Sequence, residues 1–201
     1  MGGVGWAGAF GTMPTPLLLF VSVLAFFHAS EAALVLVLDR ASYGPSSWLF
    51  SRPYGAAMAL ALVEYAAEYA VLGPRWKGWS AATVAGLVLV VAGEVVRKAG
   101  ILTAGKAFTH AISTQRREGH RLVDTGIYGV VRHPGYLGWL VWSVGTQVLL
   151  ANPVCTPVFA LWSWRFFRDR IAYEERVLVS FFGKSYRDYC AKVPTYIPFI
   201  P

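Results

Sequence analysis

At 201 residues, 56% hydrophobic and only 14% charged, the chain carries far fewer charges than the roughly 25% of a soluble domain. With a mean hydropathy of +0.48 it reads as an all-α integral membrane protein with little room for a separate soluble domain. A net charge of +7 and a pI of about 9.6 would suit nucleic acid. The basic residues, however, sit mainly beside apolar spans, so topology and contact with the lipid bilayer explain them and no nucleic-acid role is expected.

The N-terminal stretch MGGVGWAGAFGTMP lacks the basic residue of a signal-peptide n-region. Met1-Gly2 has Trp6 where a myristoylation signal wants Ser or Thr. The first span is expected from Pro14 to Leu38, long enough to cross hydrocarbon at about 1.5 Å per residue. It holds His28 and Glu31, three apart and therefore neighbours on one side of a helix. A Ser-, Gly- and Pro-rich loop runs from Asp39 to Pro53. The second span, Tyr54 to Leu72, carries Glu64 and Glu68 on one face and stops at Gly73-Pro74. The third, Trp79 to Val96, ends near Glu94, with Arg97 and Lys98 placed just outside it. Carboxylates at membrane depth cost about 2–3 kcal/mol each. Glu64 and Glu68 therefore read either as lining of a polar site or as partners in interhelical hydrogen bonds. For Glu94 an interfacial position is expected.

A polar segment then leads to the stretch around which the chain is organised, HRLVDTGIYGVVRHPGY, from His120 to Tyr136. It gathers two imidazoles, two phenols and the Arg132 guanidinium, groups that can hold a polar, partly charged ligand. Pro134 biases His133 toward extended backbone, and Gly135 lets backbone approach a ligand closely. The other reading is a loop with a helix start, Pro134 lying near the first helical position. Two shorter apolar stretches, Tyr136 to Leu150 and Pro153 to Phe167, form a hairpin about Ala151-Asn152-Pro153, either tilted or shallow. A charged helix from Arg168 and a Pro-rich tail complete the chain, with Arg170 and Glu174 on one helical face. Cys155 and Cys190 offer no metal-ligand spacing and no disulfide framework, so no metal is expected.

Lys and Arg number seven from Arg97 to Arg132 and seven more from Arg165 to Lys192, whereas the hairpin turn has none. Both basic segments are therefore assigned to the cytosol. Five crossings then put the N-terminus on the far side. Residues 1–98 form the N-terminal transmembrane region and residues 99–201 the catalytic region. The hairpin returns the chain to the side it left, so the His/Tyr segment and the Arg–Glu pair can meet. An Arg binds a carboxylate bidentately, and a Glu suits a cationic donor.

The ordered set RHPGYLGW (Arg132 to Trp139), SVGTQVLLANP (Ser143 to Pro153), WRFFRDR (Trp164 to Arg170), YEE (Tyr173 to Glu175) and FFGKSYRDY…VPTYIPFI resembles isoprenylcysteine carboxyl methyltransferases, as does GEVVRKAGILTAGKAFTH upstream. The resemblance covers Trp79 to Ile200 strongly and the earlier part more loosely. It implies a multi-pass enzyme of the endoplasmic reticulum membrane, its active site facing the cytosol. The reaction implied is methyl transfer from S-adenosylmethionine to the α-carboxylate of a C-terminal prenylated cysteine on CaaX-processed proteins such as small GTPases. By motif, His120, Leu122, Val123, Tyr128, His133, Pro134, Gly135 and Tyr136 would line the cofactor site, with Arg121 included as the intervening residue. Glu174 would contact the cofactor, and Arg170 would bind and orient the substrate carboxylate. Ser113 stands where the family can hold an amide, which leaves that contact open. The chain resembles the shorter plant-type members. The alternative is a phospholipid N-methyltransferase, which has no obvious need for Arg170. A sterol-type reductase using NADPH usually has more spans, and a membrane adaptor should bind no cofactor.

Overall fold

The computed structural model describes residues 14–115 and 121–201. Among them are six α-helices and no strands: α1 (Thr15–Leu38), α2 (Arg52–Leu72), α3 (Ala81–Ala104), α4 (Pro134–Leu149), α5 (Cys155–Phe182) and α6 (Lys184–Cys190). Local chemistry sets several boundaries. Ser51 and Ser80 cap α2 and α3 by accepting from the amides of Tyr54 and Thr83, supplying partners for first-turn N–H groups that have none inside the helix. Pro134 opens α4 where its missing N–H costs nothing. Gly73, Gly105 and Gly183 end α2, α3 and α5 at positive φ, a conformation glycine adopts without a Cβ penalty.

By length and composition two segments can cross a membrane, Thr15–Leu38 and Pro45–Leu72. Their outward faces carry apolar side chains such as Phe26, Val37, Val63 and Val71, the surface that lipid rather than water accepts. Two boundaries differ from expectation. The third apolar span continues past Val96 to Ala104, because Arg97 and Lys98 are neutralised inside the protein instead of marking its edge. The fifth stretch and the charged segment after it form one 28-residue helix. At about 1.5 Å per residue that helix is roughly 42 Å long. No glycine or proline interrupts it after Pro157.

The pairing that positions the site is α3 on α4. Gly86, Gly93 and Gly100 recur every seven residues on α3, and Gly138 and Gly145 do so on α4. A seven-residue repeat keeps one face toward a partner helix. The backbones meet there: a β-carbon at Gly93 would lie 2.6 Å from the Gly138 carbonyl oxygen. Small residues allow such an approach where lipid provides no hydrophobic drive for helices to associate. Around this pair lie three apolar clusters. Phe27, Val90 and Trp142 join α1, α3 and α4. Phe20, Met58, Ala61, Tyr65, Leu149 and Phe159 join α1, α2, α4 and α5. Phe167 and Ile171 of α5 pack on Ile197 and Ile200 of the tail.

Glu64 and Glu68 turn out to be joints, whereas Glu94, expected at the interface, is buried beside Lys98 at 3.5 Å. Glu64 accepts from the amides of Val154 and Cys155, each at 2.7 Å, and so caps α5 from another helix. Glu68 pairs with Lys77. The buried Lys77 ammonium also donates to the carbonyls of Leu150 (3.1 Å) and Ala151 (2.8 Å) and to Asn152 Oδ1 (3.1 Å). Together these contacts close the α4–α5 turn. His28 does not meet Glu31. Its Nδ1 donates to the Trp48 carbonyl and its Nε2 accepts from the Tyr54 hydroxyl, both at 2.7 Å.

Candidate active site

Where α4 starts, beside the middle of α5, the chain encloses a cavity of about 520 Å³. That lies within the roughly 300–1,000 Å³ of small-molecule sites. Arg121, Leu122, Val123, Tyr128, His133, Pro134, Gly135, Tyr136, Arg170 and Glu174 all line it. His120 lies outside the described residues. Ser113 borders a smaller adjoining cavity, and its hydroxyl donates to the Gln115 carbonyl at 2.9 Å.

Each part of the lining is held from behind. Residues Gly126–Gly129 form a short 3-10 turn. Gly126 takes φ +58°, with the Thr103 methyl where a β-carbon would be tight. The Tyr189 hydroxyl holds that turn by donating to the Tyr128 carbonyl at 2.7 Å. Burial, reinforced by the Glu174 charge, pushes the Tyr128 phenol above its ordinary pKa, so it stays a neutral hydrogen-bonding group. Leu122 is packed by Tyr186, Tyr189 and Val193. The Pro134–Gly135 peptide lies against Gly100 of α3, and the Gly135 carbonyl accepts from Arg97 Nη1 at 2.9 Å.

Tyr136 is the hinge of the polar face. Its hydroxyl donates to Glu174 Oε2 at 2.5 Å and accepts from Arg170 Nε at 2.9 Å. The expected Arg170–Glu174 pair is thus joined through a phenol, with Tyr136 stacked between His133 and Phe167. Arg170 Nη2 donates to the His110 carbonyl at 2.6 Å. A guanidinium edge and a carboxylate are so presented to one cavity by residues one helical turn apart on α5.

Arg132 lines the same cavity, and its guanidinium is also engaged within the protein. Its Nε donates to Glu175 Oε1 at 2.8 Å, and its other nitrogens donate to the carbonyls of Cys190, Val193 and Pro201. It ties the tail to α5. His133 Nε2 donates to the same Glu175 oxygen at 3.1 Å, which sets the imidazole's orientation. Burial alone would raise the Glu175 pKa; the His133 hydrogen bond and the Arg132 charge outweigh it and hold the carboxyl below its ordinary value.

Sequence reasoning missed a second polar layer. Glu31, fully buried, receives both arms of Arg97 (Nε 2.8 Å, Nη2 2.7 Å), His110 Nε2 at 2.8 Å, and Lys98. The available signal was an acidic residue inside one span and two basic residues at the end of another.

Fold and cavity together define a helical membrane protein with a ligand site that joins an arginine–carboxylate face to an aromatic, apolar wall. The family model for isoprenylcysteine carboxyl methyltransferases (ICMT) matches residues 85–180. Protein-S-isoprenylcysteine O-methyltransferase B of Arabidopsis thaliana is 43% identical over 183 residues, 90% of this chain and 92% of that protein. The Homo sapiens protein-S-isoprenylcysteine O-methyltransferase is 41% identical over 183 residues, again 90% of this chain but 64% of the human protein. A solved structure of the eukaryotic intramembrane Ras methyltransferase ICMT superposes with a TM-score of 0.89 at 39% identity. It covers 92% of this chain and 67% of that one. The chain belongs to the isoprenylcysteine carboxyl methyltransferase family, and the protein is an enzyme with that family's membrane fold.

Proposed function

We propose that the protein transfers the methyl group of S-adenosylmethionine to the α-carboxylate of a C-terminal prenylated cysteine, forming a methyl ester. The observation that carries this reading is the Arg170–Tyr136–Glu174 triad on one cavity wall. A guanidinium fork there matches a carboxylate, and a carboxylate one turn away suits a sulfonium. S-adenosylmethionine, when bound, supplies an electrophilic methyl on that sulfonium. Its site would be built from His120, Arg121, Leu122, Val123, Tyr128, His133, Pro134, Gly135 and Tyr136, with Glu174 facing the positive charge. The fit rests on the Glu174 carboxylate, the aromatic faces of Tyr128 and Tyr136 and the closely approaching Pro134–Gly135 backbone.

The acceptor carboxylate is already ionised at neutral pH, so no strong base is needed. Positioning and water exclusion are the remaining tasks. Arg170 aims the carboxylate, and Tyr136 fixes Arg170 and Glu174 relative to one another. The apolar wall of Phe50, Trp139, Phe166 and Phe167 excludes water, and a prenyl chain against such a wall gains about 0.8 kcal/mol per buried CH₂.

Residues 99–201 act as the catalytic region and residues 1–98 as its membrane frame. The helices α1 to α4 and α5 as far as Phe167 are read as crossings, with the basic segments, the charged half of α5 and the site on the cytosolic side of the endoplasmic reticulum membrane. The substrates are CaaX-processed proteins such as small GTPases. The test supplies membranes containing the protein with tritiated S-adenosylmethionine and N-acetyl-S-farnesylcysteine, and counts base-labile methyl ester. Ester that disappears in Arg170→Ala and Glu174→Ala supports the reading. Label in extracted phospholipid instead of ester would move the assignment to lipid N-methylation.

A further inference from the structure

Arg170 is held by two hydrogen bonds, one to a side chain of α4 and one to the main chain of the segment that precedes it across the same cavity. Nε donates to Tyr136 Oη and Nη2 donates to the main-chain carbonyl of His110. That carbonyl sits in the segment after the turn Gly105–Ala107, outside any regular helix. A main-chain oxygen in such a segment is a defined acceptor only if something else fixes the segment. Here the fixing group is the His110 side chain. Its Nε2 donates to Glu31 Oε2 at 2.8 Å, and its ring meets Phe108 edge-on, with centroids 5.4 Å apart and planes at 90°.

Glu31 is itself held on several sides. It lies in the middle of α1 at 0% exposure, gripped by the Arg97 fork and by Lys98. Arg97 spends its third nitrogen on the Gly135 carbonyl. One buried carboxylate on α1 is therefore the common reference for both halves of the site. It reaches the α4 backbone through Arg97 and the α5 guanidinium through His110. None of the described residues lining the main cavity comes from α1; the helix supports the apolar wall through Phe27 on Trp139 and His28 on Phe50, and reaches the polar face through Glu31.

We propose that His110, anchored by Glu31, is a positioning residue for Arg170. It sets the direction in which the guanidinium's remaining N–H groups face the acceptor carboxylate. The inference rests on Arg170 as the carboxylate-binding residue. It concerns how that arginine is aimed, not whether it acts.

The discriminating pair is N-acetyl-S-farnesylcysteine, as substrate, and its carboxamide, as a competitive inhibitor that has the same prenyl group and no carboxylate. His110→Ala removes the tie to Glu31. His110→Gln retains an N–H donor at comparable reach. In His110→Ala the KM for the carboxylate acceptor rises about tenfold, the scale of one charge-assisted hydrogen bond. The carboxamide Ki, the KM for S-adenosylmethionine and the thermal midpoint stay within twofold or a few degrees. His110→Gln recovers most of the lost KM. An unchanged KM in His110→Ala overturns the proposal. So does an equal weakening of substrate and carboxamide, which would mean a general packing role, or a His110→Gln variant as impaired as His110→Ala. Arg170→Ala separates the two layers of the argument. It should abolish the discrimination between carboxylate and carboxamide. If the discrimination survives in that variant, the Arg170 reading itself fails and the positioning role falls with it, a different result from failure at His110 alone.

Discussion

Placing a methyl group at Gly93 tests whether the α3–α4 seam sets the site. A β-carbon there would lie 2.6 Å from the Gly138 carbonyl oxygen, 2.6 Å from the Trp142 amide nitrogen and 2.8 Å from Trp142 Cβ. Carbon–oxygen contacts between packed backbones fall at about 3.3–3.6 Å, so the helices must separate by roughly 0.7–1 Å. The opposing atoms are mostly main chain, and no rotamer change relieves them. Overpacking of this kind costs about 1–3 kcal/mol, and Gly93→Ala belongs at the upper end. For a chain of this size each kcal/mol moves the thermal midpoint by roughly 2–4 °C, so a loss of roughly 6–12 °C is expected. Gly86→Ala should be worse, its β-carbon falling 2.1 Å from the Leu149 nitrogen. Gly55→Ala is the control. Nothing lies within 4 Å of a β-carbon there, and a helical Gly-to-Ala change should stabilise by about 0.5–1 kcal/mol. The assay is thermal unfolding in detergent at one scan rate, since membrane proteins often unfold irreversibly and only the ranking is then robust. Separation of the helices should also withdraw residues 133–136 from Arg97, raising the KM for S-adenosylmethionine. Equal midpoints for Gly93→Ala and Gly55→Ala would refute the seam argument.

Three further outcomes follow from the same contacts. Arg170→Lys keeps the charge but loses the planar fork; with about 1.5–3 kcal/mol at stake in a charged hydrogen bond, kcat/KM should fall roughly 10- to 150-fold, and near-normal turnover would remove Arg170 from its role. Lys77→Met leaves Glu68 and the oxygens of Leu150, Ala151 and Asn152 without their shared donor. Breaking a buried pair costs about 3–5 kcal/mol, so solubilised yield and thermal midpoint should drop sharply while any surviving enzyme keeps its KM values. The lowered Glu175 pKa predicts a sign for acid destabilisation. The stability it contributes is full above the ordinary carboxylate value of about 4.3 and is lost as pH falls from there through the lowered folded value. The midpoint difference between wild type and Glu175→Gln, measured against pH, should hold down to that ordinary value and shrink only below it; shrinkage beginning near neutrality would contradict the assignment.

Much of the site could be read from the residues alone because its chemistry is local. HRLV, RHPGY and the Arg170–Glu174 spacing each lie within a turn or two of chain, and side-chain type and helical period travel with such short segments. Every described member of that set lines one cavity. Helix existence was equally legible, since long apolar runs leave few alternatives where backbone polar groups must be satisfied internally. Boundaries were less so. The joining of the fifth stretch to the charged helix depends on continuity that a change in polarity conceals.

What the sequence by itself determined is therefore the all-helical membrane character, the order of the long helices, and the residues that gather around one cavity. The tertiary structure alone decided how the charges are used. Glu31 meets Arg97 and His110 across 66 and 79 residues, Glu64 caps a helix 90 residues away, and Arg132 ties the tail to α5. A charge in a membrane must find a partner, but nothing local names which one. The choice is made where the glycine faces of α3 and α4 let the helices close and bring distant groups within hydrogen-bond reach.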